Sequence, residues 1–359
     1  MDDTLPDIPR KGRGAVSNRT GRFEAFRHLA VDDGWPGDGE EPPPLRTHVG
    51  VDTARKVITY NKSPDIPFDR SINPYRGCEH GCVYCFARPT HAFYGLSPGL
   101  DFESRLFFKP DAAEVLKREL RDPKYRVEPI AMGTNTDPYQ PIDREKEITR
   151  QILEVLRDFG HPVTIVTKSA LVLRDLDILA PMAARGLATV ALSTTTLDRR
   201  LARIMEPRAP TPAKRLAAMK TLSAAGVPTK LLAAPMIPAI NDMEMERLYE
   251  AAADAGAWGA GYILLRLPLE IKDLFEEWLA AHFPDRARHV MSLIRQCRDG
   301  AAYRAEWGKR MTGTGDYAGI LRKRHKLAIR RFGLEGRGPE LDTRLFKPPP
   351  APGDQLSLL

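Results

Sequence analysis

The chain has 359 residues, 42% of them hydrophobic, enough to bury a large core, and one barrel-sized domain with extensions accounts for the length. No apolar run approaches the roughly 18 residues that span a bilayer, and the acidic start MDDTLPDIPR lacks a signal-peptide core, which excludes a helical membrane protein and points to the cytosol. The charge of +7, from 54 basic and 47 acidic residues, permits an anionic partner without requiring one.

In chain order, residues 1–48 read as a flexible arm, in which the basic patch PRKGRGAVSNRTGRFEAFRH runs into the acidic, Pro-rich VDDGWPGDGEEPPP. Gly12, Gly14, Phe23 and Phe26 among the arginines leave a second reading open, an arm folded over a cleft. From Val57 short β-branched runs alternate with amphipathic stretches, the sign of βα units and a parallel sheet. Strands are predicted at Ser71–Tyr75, Val127–Met132, Val163–Thr167, Thr189–Ser193, Thr229–Ala233 and Tyr262–Arg266. Helices are predicted at Ala112–Arg121, Glu145–Phe159, Leu173–Ala184, Ala213–Ala225 and Met243–Ala255. The fold class is α/β, a partial (β/α)6 barrel of TIM type over residues 49–275, whose chemistry gathers at the C-terminal ends of the strands. A basic helical extension is expected over 276–346 and a Pro-rich tail over 347–359.

The first strand end carries NPYRGCEHGCVYCFARP. Three of the four cysteines lie within eight residues, a distribution unsuited to a disulfide framework and suited to metal. The spacing C-x3-C-x2-C of Cys78, Cys82 and Cys85 lets three thiolates hold three irons of a cubane cluster and leaves the fourth iron without a protein ligand. The competing reading is a structural zinc site completed by His80, which must then ligate from between two cysteines only four apart.

Cys78-x3-Cys82-x-Tyr84-Cys85 resembles the signature of the radical S-adenosylmethionine (SAM) superfamily. The resemblance implies a 4Fe-4S cluster on Cys78, Cys82 and Cys85 and SAM bound at its open iron. A one-electron reductant of flavodoxin or ferredoxin type would supply the electron, and reductive cleavage would give a 5′-deoxyadenosyl radical that abstracts hydrogen from substrate. In such proteins the aromatic at Tyr84 borders the adenine, and the loop after the second strand, here MGTNTDPYQPIDRE, handles the methionine amino group. Thr134, Asn135 and Asp137 offer acceptors for it, although the usual Gly-Gly-Glu motif is absent. Lys168, in Thr167-Lys168-Ser169, and Ser193, in Ser193-Thr194-Thr195, stand at the next two strand ends, where strand-to-helix caps would look alike. The segment EPRAPTPAKRL resembles the stretch that contacts SAM, making Glu206, Arg208 and Arg215 candidates for its hydroxyls and carboxylate.

The cysteine loop, FFKPDAAEVLKREL, TDPYQP and TKS together resemble the spore photoproduct lyase-like branch, from about residue 55 to 270. The lyase uses a further barrel cysteine as hydrogen-atom donor. No cysteine lies here between Cys85 and Cys297, so its reaction is not carried over, and Cys297 reads as a buried inert thiol.

Arg322, Lys323, Arg324, Lys326, Arg330 and Arg331 form a basic helix face, either a contact for DNA or a solvated helix over the barrel. The last five residues, Gln355, Leu356, Ser357, Leu358 and Leu359, resemble the motif with which bacterial replication and repair enzymes dock on the sliding clamp. The expectation is a cytoplasmic radical SAM enzyme linked to DNA repair or modification. Its alternatives are the same chemistry on RNA, protein or a small molecule, and a non-catalytic iron-sulfur or zinc protein.

Overall fold

The structure, a computed structural model, describes residues 7–24, 45–336 and 338–350. Among these, ten strands form two sheets: β1 His48–Val51, β2 Ile58–Tyr60, β3 Arg70–Ile72, β4 Tyr75–Arg76, β5 Arg105–Phe108, β6 Ile130–Met132, β7 Val163–Thr167, β8 Ala188–Ser193, β9 Thr229–Met236 and β10 Gly259–Leu264. The larger sheet has the order β10-β9-β8-β7-β6-β3-β2 and is parallel except for β2, which pairs antiparallel with β3. Six parallel strands with helices between them make the expected partial (β/α)6 barrel, open between β10 and β2.

Side-chain alternation decides which face is dry. In β7, Val163 and Ile165 are buried while solvent reaches Thr164 and Val166, and β9 alternates likewise through its first six residues. The dry positions pack on helices Ile148–Asp158, Leu176–Ala184, Pro212–Ala224 and Met245–Asp254. Each fully buried aliphatic there contributes about 1.5–3 kcal/mol of transfer free energy. The half-wet positions line the barrel interior.

The predicted strand Ser71–Tyr75 divides between two sheets, because Pro74 lacks an amide to continue a ladder. Arg70–Ile72 joins the barrel, whereas Tyr75 and Arg76 pair with Phe108 and Phe107 in the small sheet of order β1-β5-β4. The last predicted strand begins three residues early, at Gly259. The basic segment is helix Gly315–Arg331, which lies against β10 and helix Met245–Asp254 and buries Ala318, Leu321 and Ala328. It serves as the outer helix that follows β10. Cys297 is fully buried, and burial pushes its thiol up.

After that helix the chain crosses the end of the barrel where the strands begin. Glu335 bridges to Gly259, Asp342 N donates to Gly186 O at 2.9 Å, and Lys347 N donates to Phe159 O at 2.9 Å. Of the expected arm, Arg13 to Ser17 are buried, while residues 25–44 lie outside the described residues, as does the motif Gln355–Leu359. Among the described residues no helix is long and apolar enough to cross a membrane.

Candidate functional site

The cysteine loop rises from the C-terminal side of the barrel, braced by the small sheet. Gly77 and Gly81 have φ of 70° and 66°. A Cβ on Gly81 would lie 2.5 Å from a Glu103 carboxylate oxygen, so the turn demands glycine twice over. Cys78 N donates to Phe102 O at 2.9 Å, Cys85 N to Cys82 O at 3.2 Å and Val83 N to Met205 O at 3.2 Å. Gln140 spans the loop, accepting from Glu79 N at 2.9 Å and donating to Gly77 O at 3.1 Å. Beneath it Arg88, with no solvent contact, donates to the carbonyls of Cys82 and Gly81 and to Glu103.

Cys78 and Cys82 are buried, Cys85 is half-buried, and all three are free thiols. Burial raises each of them, Cys82 to about 12, although Lys168 pulls Cys82 and Cys85 back. A positively charged metal centre supplies what turns such thiols into thiolates. His80, the residue that a zinc reading would take as fourth ligand, is 2% exposed, and its Nδ1 faces Asp137 Oδ2 at 3.3 Å. Among the described residues no three His, Cys, Asp or Glu side chains converge as a single-ion site. Three sulfurs on one loop fit the iron-sulfur cluster better than a closed four-ligand zinc site.

A second group stands beside Cys82, assembled from the ends of β7 and β8 and the segment beyond. Glu206 accepts from the Tyr84 hydroxyl, from Thr195 Oγ1 at 3.0 Å and from Arg215 Nη2. Arg215 also donates to Ser193 O at 3.0 Å and Pro210 O at 2.8 Å. Lys168 lays its ammonium 5.8 Å from the centre of the Tyr84 ring. Burial alone would raise Glu206, but Arg215 and Lys168 outweigh it and hold the carboxylate below its usual value. Burial would likewise lower Lys168, and Cys82 and Glu206 reverse the shift. Among the described residues no carboxylate lies within ion-pair distance of Lys168. Its ammonium is therefore suited to an incoming anionic group, and Glu206 retains acceptor capacity for hydroxyls.

Tyr84, Lys168, Ser193, Glu206 and Arg215 thus come together at one end of the barrel with Cys82. Asp137 is near but committed. Burial pushes its carboxyl up, yet His80, the Lys168 amide at 2.7 Å and Thr167 Oγ1 at 2.7 Å bring it down to about 2. It also accepts from Tyr139 N, so it ties the β6 and β7 loops together. Asn73 fixes its neighbours, accepting from Asn135 N at 2.9 Å and donating to Thr134 Oγ1 at 3.3 Å. Arg208 is not in the group. It faces outward to Glu79 at 3.2 Å and Thr47 at 3.5 Å. Sequence reasoning missed Asn73, Arg88, Glu103 and Gln140. The signal for Arg88 and Glu103, a buried opposite-charge pair, exists only once the loop has folded.

Residues 72–252 match the family model of the Radical SAM superfamily. An uncharacterized protein of Mycobacterium tuberculosis is 38% identical over 241 residues, spanning 66% of this chain and 71% of that one. An uncharacterized protein of Methanocaldococcus jannaschii is 31% identical over 191 residues, 53% of this chain and 68% of that one. Among solved structures the fold resembles spore photoproduct lyase complexed with dinucleoside spore photoproduct, with a TM-score of 0.55, 18% identity and coverage of 79% and 78%. A lyase variant with bound AdoMet and dinucleoside spore photoproduct gives a TM-score of 0.54.

Proposed function

The chain belongs to the radical SAM superfamily and is an enzyme, and from that premise we propose that it cleaves SAM reductively and acts on DNA, in repair or modification. The observation that carries the first part is the convergence of Tyr84, Lys168, Glu206 and Arg215 beside Cys82. Cys78, Cys82 and Cys85 would hold the 4Fe-4S cluster, which when bound supplies the electron that cleaves SAM. The chain's own residues do the positioning. Lys168 meets the ligand's carboxylate, Tyr84 offers an aromatic face for the adenine, and Glu206, kept ionised by Arg215, accepts from hydroxyls. Thr134 and Asn135 remain as acceptors for the amino group, since the Asp137 oxygens are engaged.

DNA is supported by the exposed stripe Lys323, Lys326, Arg330 and Arg331 and by the dinucleoside bound to the structural relative. Arg322 and Arg324 are less available. Arg322 donates to Gly313 O, and Arg324 pairs with Glu246. A flavodoxin- or ferredoxin-type protein would deliver the electron, and Gln355–Leu359 would dock on a sliding clamp.

The test is anaerobic reconstitution with iron and sulfide, followed by SAM and dithionite. 5′-Deoxyadenosine should form with the native chain and not with Cys82→Ala. Its absence from the native chain would overturn the proposal, and equal amounts from Cys82→Ala would remove the role given to the cysteine loop.

A further inference from the structure

The segment ahead of the barrel touches the cysteine loop from behind. Glu103, with no solvent contact, accepts from Gly14 N and Ala15 N, both at 2.9 Å, and from Arg88 Nη2 at 2.8 Å. The same guanidinium holds the Cys82 and Gly81 carbonyls at 2.9 and 3.1 Å. One buried carboxylate therefore joins the backbone of residues 14–15 to the backbone between the cysteines.

Sterics make the contact specific. A Cβ on Gly14 would lie 1.7 Å from Gly81 O, and one on Gly99 would lie 2.2 Å from Ser17 O. Farther along, Leu100 N donates to Ser17 O at 3.2 Å, and Asn18 and Asp101 exchange hydrogen bonds of 2.8 and 3.1 Å. Ala15 packs with Leu100 and Leu274, and Arg19 and Arg22 reach Glu277 and Glu270 on or beside helix Ile271–His282.

We propose that residues 13–22 form a strap that locks the cysteine loop in its cluster-holding shape, with Glu103 as the positioning residue that transmits the lock. The inference rests on the reading of Cys78, Cys82 and Cys85 as cluster ligands. Releasing iron requires the loop carbonyls to move away from Arg88, and the strap opposes that movement by fixing the far side of Glu103. Residues 13–22 supply none of the three cysteines and reach their loop through Glu103 and Gly81, so the effect proposed is on retention of the cluster.

The experiment uses the full chain, reconstituted anaerobically with iron and sulfide, and two variants. Gly14→Val expels the strap by collision with Gly81 while leaving every charge in place. Asn18→Ala removes only the exposed reciprocal bonds to Asp101. Iron release to a ferrous chelator is timed, the thermal transition checks the barrel, and trypsin cleavage within residues 10–22 reports whether the strap is displaced. Two broken hydrogen bonds to a charged group predict iron release roughly tenfold or more faster in Gly14→Val, with a smaller acceleration in Asn18→Ala at unchanged thermal stability. Native release rates in a variant whose strap is cleaved by trypsin would overturn the proposal. A native chain that takes up no iron would overturn the cluster reading, and the strap's role with it. A chain that binds iron equally tightly with and without its strap overturns the strap alone.

Discussion

Tyr84, one residue before the last cysteine of the loop, donates its hydroxyl to Glu206, which stands 122 positions later in the chain. The bond ties the cluster loop to the end of β8 through an anion that is itself neutralised by Arg215. A change at any of the three is therefore expected to register both in stability and in cofactor binding.

Glu206→Gln should be the harsher change. It leaves the buried Arg215 without its counter-charge, and breaking a buried pair costs about 3–5 kcal/mol. Tyr84→Phe removes one hydrogen bond to a charged group and should cost about 1.5–3 kcal/mol. Urea unfolding of the apoprotein checks the order, and a larger loss for Tyr84→Phe would count against Glu206 as the hub.

Lys168→Ala and Arg208→Ala should part company. Removing a charge-assisted hydrogen bond to the ligand carboxylate should weaken SAM binding roughly tenfold to a hundredfold in Lys168→Ala. Arg208→Ala, whose side chain faces Glu79 and Thr47, should bind SAM as the native protein does. Equilibrium dialysis on cluster-loaded protein measures both, and weakening confined to Arg208→Ala would reverse the assignment.

Acid should destabilise the fold before the carboxylates titrate. Burial lowers His161 and His91 to about 4. The unfolded chain takes up protons there from about pH 6.5. Because the unfolded state then binds more protons, stability falls as pH drops from about 6.5 to 4, by up to about 1.4 kcal/mol per unit for each histidine. His161→Gln should shallow that slope in urea titrations at several pH values. An unchanged slope would mean that His161 is protonated without cost in the fold.

Reversing the exposed stripe, with Lys323→Glu, Lys326→Glu and Arg330→Glu combined, should weaken DNA binding. It should also reduce the salt dependence of the affinity by about one unit of log-log slope for each phosphate that the helix no longer neutralises. Arg324→Ala should instead lower thermal stability, since that guanidinium is spent on Glu246. Unchanged DNA affinity and salt slope in the triple variant would remove this helix from the interface.

The sheet was readable wherever β-branched residues mark the strand, and Val163–Thr167 matches to the residue. β10 was misplaced because Gly259, Ala260 and Gly261 carry no such signal, and pairing with β9 puts them in the ladder. The small sheet escaped notice since β4 has two residues and exists only by pairing with β5. Spacing singles out the cysteines and resemblance singles out Glu206 and Arg215, which the fold pairs with each other. Asp137 and Arg208 show the limit of both approaches. Each has the right chemistry at a plausible place in the chain, and only the folded loops reveal that neighbouring amides hold the one and Glu79 the other. Arg88 and Glu103, 15 residues apart, follow no periodicity that a sequence displays.

Residues 335–336 and 338–350 lie across the end of the barrel opposite the cysteine loop, and Pro349 O accepts from Arg121 at 3.4 Å. The backbone therefore leaves the described structure at the rear of the molecule. The anchor points of this last described stretch, at Gly186, Phe159 and Arg121, are thus separate from every residue that gathers around Cys82, so changes made there should leave the site's own hydrogen bonds in place.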